Sequence, residues 1–244
     1  MAIMRLVILV FFGLLMMQPA FAQEDEYQSC LLLAKNAPND AVKSAQEWKK
    51  QGGGDPATHC EALAYMRLQQ YGKAADILEA LAKAQPITKV HIAANLYAQA
   101  AQAALKGGEV ERALKNQDQG LKLRPDDVDL LVDRALLLGS TGNYFDALDD
   151  LNRAKDKDAT RGDIYVLTAS AYRSLDQLDL AKDALDRAFE INPNDPLAFL
   201  ERGLLRKSQG DKKGAMEDFA KVIELAPNTP PADAASKHIK EIPN

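Results

Sequence analysis

The residues whose chemistry this sequence constrains most are its two cysteines, Cys30 and Cys60. In an exported chain two cysteines favour one disulfide bridge, whereas together with His59 they could also ligate a metal ion or form a redox site. Neither cysteine belongs to a Cys-x-x-Cys pair, and three ligands fall short of the four that a structural zinc site uses. We therefore predict a Cys30–Cys60 bridge, which contributes about 3 kcal/mol in the chain-entropy model.

The other polar residues do not converge on a catalytic pattern. Histidines occur at three distant places, His59, His91 and His238. Neighbouring carboxylates occur at Asp126-Asp127, at Asp149-Asp150 and at Asp156 with Asp158. We expect these carboxylates to cap helices and face solvent, because an acid–base pair needs one desolvated carboxylate. The triglycine at 52–54 lacks the Gly-Lys-Ser/Thr that completes a phosphate-binding loop. We predict that the chain is not an enzyme and uses no cofactor or metal.

The first 22 residues have the composition of an export signal. Arg5 precedes the apolar run Leu6–Met17, and Ala20-Phe21-Ala22 supplies the small-x-small pattern that signal peptidase recognises. The alternative is a retained membrane anchor, but the run is shorter than the ~20 residues of a spanning helix. We predict a cleaved signal peptide at 1–22, a periplasmic location and no stable membrane insertion afterwards. The formal charge of −5, without a basic block, argues against a nucleic-acid partner.

Small residues recur along the chain at a nearly constant spacing. One alanine position is occupied by Ala74, Ala113, Ala147, Ala181 and Ala215, with a first spacing of 39 residues and then three of 34. A second small position carries Ala62, Ala101, Ala135, Ala169 and Gly203. A third position carries Pro86, Pro125, Ala159, Pro193 and Pro227. Helices that cross at the small positions can approach closely, and the proline ends the second helix of each unit.

This pattern resembles the tetratricopeptide repeat family, whose unit is a pair of antiparallel helices. The resemblance implies an all-α fold, an α-solenoid of about six stacked hairpins with a C-terminal capping helix. An atypical hairpin is expected at 23–54, an array at 55–228, and the capping helix and tail at 230–244. The repeats of the array are expected at 55–88, 94–127, 128–161, 162–195 and 196–229. We expect one domain. The longer first spacing predicts an extra turn on the first helix of repeat 94–127, starting after Thr88.

The resemblance also implies where a ligand binds. In tetratricopeptide arrays the first helices of the hairpins line a concave groove. The corresponding candidate residues are Asn95, Gln102, Asp129, Val132, Leu136, Asp163, Ser170, Arg173 and Lys207. The matching positions lack the Lys and Asn with which some family members clamp a C-terminal carboxylate. Ordinary solvated residues are an equally good interpretation at each position.

The function implied by the resemblance is that of an adaptor, scaffold or assembly factor. Its partner would be a peptide segment or another envelope protein held in the groove. Two alternatives stay open: a self-associating structural protein of the envelope, and an accessory small-ligand binder or enzyme.

Overall fold

A computed structural model describes residues 20–242 of the chain. Within this range the chain forms thirteen α-helices and one short 3₁₀ helix, and no strand, so the all-α prediction is confirmed. The predicted signal peptide lies outside the described residues except for its last three positions. None of the described helices has both the length and the apolarity needed to cross a bilayer. The described helices fall into two compact units, one ending at Gln70 and the other beginning at Tyr71.

The first unit is a group of three helices joined by a disulfide. These are α1 (Ala20–Asn36), α2 (Pro38–Lys50) and α3 (Gly54–Arg67). Each of the three packs against the other two. Cys30 on α1 is bonded to Cys60 on α3, with 6.2 Å between their Cα atoms, and buried Trp48 of α2 packs beside the bridge. The predicted disulfide is therefore confirmed, and it leaves neither thiol free to bind a metal ion.

The second unit is a series of hairpins. Its helices are α4 (Tyr71–Ala84), α5 (Val90–Lys106), α6 (Val110–Leu123), α7 (Val128–Ser140), α8 (Tyr144–Lys157), α9 (Gly162–Ser174), α10 (Leu178–Ile191), α11 (Pro196–Ser208), α12 (Lys212–Leu225) and α13 (Pro230–Glu241). The pairs α5–α6, α7–α8, α9–α10 and α11–α12 pack as hairpins, and the second helix of each pair also packs against the first helix of the next. Helix α4 packs on α5, and α13 packs on α11 and α12. The predicted solenoid architecture is thus confirmed.

The small residues lie where the two helices of a hairpin meet. Ala135 of α7 and Ala147 of α8 are buried in one core cluster. Ala169 of α9 and Ala181 of α10 are buried together in the next. A larger side chain at any of these places would push the paired backbones apart, because the interior is already close-packed.

The longer first spacing is taken up by helix α5. This helix has 17 residues, whereas the first helices α7, α9 and α11 have 13 each. It begins at Val90, directly after the 3₁₀ helix Ile87–Lys89. The extra residues therefore form an additional helical turn at the place that the sequence predicts.

Candidate functional site

Two adjoining cavities open beside helix α7. One lies between α5 and α7, has a volume of about 220 Å³ and has Gln117 of α6 in its lining; we call it the Gln117 cavity. The other lies between α7 and α9, has a volume of about 300 Å³ and is lined in part by Tyr144 of α8; we call it the Tyr144 cavity. Leu136 and Ser140 line both. We call the surface that α5, α7 and α9 form around the two cavities the groove face.

The Tyr144 cavity is mainly apolar. Leu151 and Leu167 form part of its wall, and Gly139 contributes no side chain to it. Ser170 and Ser174 supply its hydroxyl groups, and the Ser174 hydroxyl already donates to the Ser170 carbonyl. Such a lining is suited to an apolar side chain with a neighbouring polar group.

The Gln117 cavity combines apolar walls with two unusual polar groups. Leu105, Leu136 and Leu137 form walls. Gln117 is only 3% exposed, and its Oε1 atom has no hydrogen-bond partner among the described residues. The Asp133 carboxyl is partly buried, and that burial raises its pKa. A buried amide oxygen and a desolvated carboxylate both favour a ligand that donates hydrogen bonds.

The structure brings three of the predicted groove residues to these cavities. Gln102 lines the Gln117 cavity, Ser170 lines the Tyr144 cavity, and Leu136 lines both. Asn95 is exposed on α5 but is not part of either lining. Val132 differs from the expectation, because it is buried in the core cluster and has almost no surface to offer a ligand.

The charged residues among the predicted groove set are held by partners within the chain. Arg161 pairs with Asp129 through Nη1 and with Asp163 through Nη2, at 2.5 and 2.6 Å. Hydrogen bonds from Arg161 lower the pKa of the Asp163 carboxyl. Lys207 Nζ lies 2.8 Å from Glu241 Oε2 on α13. These groups therefore connect neighbouring elements and offer less charge to a ligand than the sequence alone indicates.

Arg173 is the remaining charged residue of the predicted groove set. Its side chain extends from α9 to α11, the first helix of the next hairpin. Its Nε atom donates to Oε1 of Glu201 on α11. Glu201 is buried, so this pair is an ion pair largely shielded from water. The arginine is therefore part of the α9–α11 contact.

Carboxylate burial is a feature that sequence reasoning missed. Asp150 was expected to be solvated, but it is 2% exposed and accepts two hydrogen bonds of 2.7 Å from Arg134 of α7. The same pairing recurs between Arg202 and Asp218. The signal was present in the sequence, since both pairs have a separation of 16 residues and lie two repeats apart.

Gln117 and Asp133 were also not predicted as site residues. Gln117 departs from the apolar residues at the equivalent places of the other repeats, and that departure was a usable signal. Within the described part of the chain, no group of three or more His, Cys, Asp or Glu side chains is placed to hold a metal ion.

Comparison with known proteins identifies the family. One tetratricopeptide repeat model matches residues 162–195 and 198–229, and a second matches residues 98–162. Together they match more than half of the chain. The chain belongs to the tetratricopeptide repeat family. Among curated relatives, this tetratricopeptide repeat protein is 32% identical to a UPF0162 protein of Xylella fastidiosa over 75 residues, which is 31% of this chain and 27% of that protein. The chain thus spans about a quarter of the length of this relative.

Solved structures share the fold of this tetratricopeptide repeat protein at lower sequence identity. The C-terminal part of a repeat-containing protein from Cytophaga hutchinsonii aligns with a TM-score of 0.63 and 17% identity, covering 88% of this chain and 95% of that one. A double mutant of MamA RS-1 aligns with a TM-score of 0.58 and 23% identity, covering 70% and 93%. YrrB, described as a repeat protein with an unusual peptide-binding site, aligns with a TM-score of 0.53 and 17% identity, covering 79% and 96%.

Proposed function

We propose that this protein is a protein–protein interaction adaptor that binds a peptide segment of another envelope protein along the groove face. The observation that carries the proposal is the pair of adjoining cavities on either side of Leu136. Each is a small concave space with apolar walls and a few polar groups, which is the lining that recognises successive side chains of a peptide. The peptide-binding site described for YrrB supports the same use of the fold.

The proposed location is the periplasm. It is supported by the signal-like sequence at the N-terminus and by the Cys30–Cys60 disulfide, since disulfides persist in oxidising compartments. Tetratricopeptide repeat proteins are generally non-enzymatic scaffolds, and catalysis is not part of the proposal.

Site-specific crosslinking in intact cells tests the proposal. A photoreactive benzoylphenylalanine replaces exposed Gln102 on the groove face, and in a control it replaces exposed Phe145, which lines neither cavity. We expect adducts with one defined envelope protein from position 102 and not from position 145. Equal adducts from the two positions would contradict the groove assignment.

A matched pair of variants then tests the role of the groove face in that adduct. Leu136 is 49% exposed on α7, and Leu180 is 45% exposed on α10. Leu136→Glu should reduce the crosslink yield at least about tenfold, because it replaces the apolar wall that the two cavities share with a charged group. Leu180→Glu should leave the yield unchanged. If the crosslinked species is a second copy of the chain, self-association replaces the adaptor proposal.

A further inference from the structure

The groove face has an internal counterpart two repeats further along the chain. With a 34-residue repeat, Asp133 on α7 is equivalent to Glu201 on α11, and Leu105 on α5 is equivalent to Arg173 on α9. At the second place, the Arg173 side chain reaches from one first helix to the next and donates to the buried carboxylate of Glu201. The chain itself therefore shows how an arginine fills this space.

At the first place the carboxylate is present but the arginine is not. Leu105, in the place of Arg173, supplies no charge and is exposed. Asp133 has no hydrogen bond or ion pair at contact distance among the described residues. Its pKa is raised first by burial and further by Asp129 and Asp127, while Arg161 opposes the shift. The carboxylate is thus partly desolvated without the cation that its counterpart has.

Gln117 adds a second acceptor to the same cavity. Its buried Oε1 atom has no partner, and a rotation of the amide about its last side-chain bond exchanges the oxygen and nitrogen atoms. The equivalent residues of the other hairpins in this unit are apolar: Leu151, Leu185 and Phe219. An unpaired buried amide is costly to the fold unless a ligand satisfies it.

The geometry points to an arginine of the bound peptide segment as the occupant of the Gln117 cavity, an inference that rests on the proposed function. The aliphatic part of that side chain would lie against Leu105 and Leu136, and its guanidinium would donate to Asp133 and to the Gln117 amide oxygen. A planar guanidinium suits two acceptors better than a lysine ammonium does. A cavity of about 220 Å³ is side-chain sized, since pockets for whole small molecules have ~300–1,000 Å³.

The adjoining Tyr144 cavity would take a different kind of residue from the same segment. One repeat along from the Gln117 cavity, Leu167 occupies the position of the Asp133 carboxylate. Gly139 occupies the position that Arg173 has in the following repeat. An apolar side chain fits that combination. The segment is therefore expected to carry one arginine and one apolar residue a few positions apart.

A synthetic peptide array tests the inference with the full chain. Degenerate decapeptides carry arginine, citrulline, glutamate or leucine at a fixed central position, with leucine fixed at each neighbouring position in turn. Citrulline has almost the shape of arginine but no charge. We expect arginine peptides to bind about ten to a hundred times more tightly than citrulline peptides, as hydrogen bonds to charged groups imply. This preference should disappear in Asp133→Asn and decrease in Gln117→Leu.

A second variant tests the cavity both without a peptide, through the melting temperature, and with the arginine peptides. Leu105→Arg introduces into this cavity the arginine that the chain already has two repeats later, at Arg173. It should raise the melting temperature and abolish binding of arginine peptides, whereas Leu180→Arg, with the same added charge, should do neither. In an Asp133→Asn background, Leu105→Arg should no longer raise the melting temperature.

The outcomes separate this inference from the proposed function. Peptides that bind without an arginine preference, and whose binding Leu136→Glu abolishes, would overturn the arginine assignment and leave the groove in use. An arginine preference that survives Asp133→Asn would also overturn it. If no peptide of the array binds, both the inference and the proposed peptide-binding function fail.

Discussion

At the residue scale, the size of the small residue in each hairpin depends on the side chain that it faces. In two hairpins an alanine and a leucine are buried in the same core cluster, Ala135 with Leu151 and Ala169 with Leu185. The last hairpin has the larger Phe219, and here the small residue is Gly203. A Cβ atom built on Gly203 would lie 2.5 Å from Cε1 of Phe219. Glycine is therefore required by the phenylalanine ring, not by the backbone.

Replacing Gly203 by alanine tests this complementarity. Although alanine is the usual residue of the repeat, we expect Gly203→Ala to lower the free energy of unfolding by about 1–3 kcal/mol, because the ring must shift. Urea denaturation measures the change. In a Phe219→Leu background the same substitution should cost less than about 0.5 kcal/mol, since the alanine–leucine pair is restored. An equal cost in both backgrounds would refute the steric explanation.

For the buried amide of Gln117 we predict a substitution that increases stability. Gln117→Leu restores the apolar residue found at the equivalent place and removes an acceptor that lacks a partner. We expect the free energy of unfolding to rise by about 1 kcal/mol or more. Gln102→Leu, at the exposed amide of the same cavity, is the control and should change it by less than about 0.5 kcal/mol. A destabilised Gln117→Leu protein would show that the amide is satisfied in solution.

Asp133 predicts a dependence of stability on pH. Burial and the nearby Asp129 and Asp127 raise its pKa in the folded chain, and Arg161 only partly opposes this. The folded state then holds a proton at pH values where the unfolded chain has lost it, so this group's contribution to stability falls as pH rises through that range. Asp133→Asn should therefore be more stable than wild type above about pH 6 and similar to it near pH 3. Melting temperatures at both pH values check this, and a difference independent of pH would contradict it.

At the element scale, helix α13 covers the apolar end of the last hairpin. Ala235 is buried together with Phe219 and Val222, and Ile239 and Ile242 pack against the same cluster. The helix begins with Pro230 and Pro231, whose missing N–H groups would have no partner in a first turn in any case. In the last turn of α13, Glu241 forms an ion pair with Lys207 of α11. The capping helix is thus held mainly by apolar contact and secondarily by an ion pair.

Two variants separate these contributions to capping. A chain that ends after Asn228 exposes Phe219 and Val222, and we expect it to lose about 2–4 kcal/mol of unfolding free energy and to associate as concentration rises. Lys207→Ala keeps the apolar contact and should cost no more than about 1 kcal/mol. Denaturation and light scattering measure the two effects. A larger loss from Lys207→Ala than from truncation would mean that the ion pair, not the apolar contact, holds the helix.

At the scale of the whole molecule, the repeat spacing was enough to predict the four hairpins from α5 to α12 and the extra turn of α5. The reason is steric: every hairpin must keep a small residue where its helices cross, so the requirement recurs in the sequence. Pairing between side chains recurs less regularly, since the Arg134–Asp150 pair has a counterpart two repeats later but not in the repeat between them. Arg161 holds two aspartates that were predicted to face a ligand, and Asp150 is buried because Arg134 neutralises it. Such contacts depend on which residue a neighbouring helix offers, and that is set in three dimensions.

The boundary between the two units, which lies between Gln70 and Tyr71, is also not visible in the sequence. No linker-like segment rich in Pro, Gly or Ser occurs around it. The first unit is distinguished instead by a covalent cross-link, the Cys30–Cys60 disulfide between α1 and α3. Reduction should therefore act on this unit alone. A bridge that closes a separation of 30 residues contributes about 3 kcal/mol, so amide hydrogen exchange in α1–α3 should become about a hundredfold faster.

Hydrogen exchange read by mass spectrometry, with and without dithiothreitol, tests this independence. Exchange in α7–α10, which lie in the second unit and contain no cysteine, should stay unchanged on reduction. A Cys30→Ala/Cys60→Ala variant controls for the reagent and should reproduce the exchange of the reduced protein without it. The chain-entropy account requires this agreement, because loss of the cross-link loosens the unfolded ensemble by either route. If reduction accelerated exchange in α7–α10 as much as in α1–α3, the two units would unfold together and the bridge would stabilise the whole array.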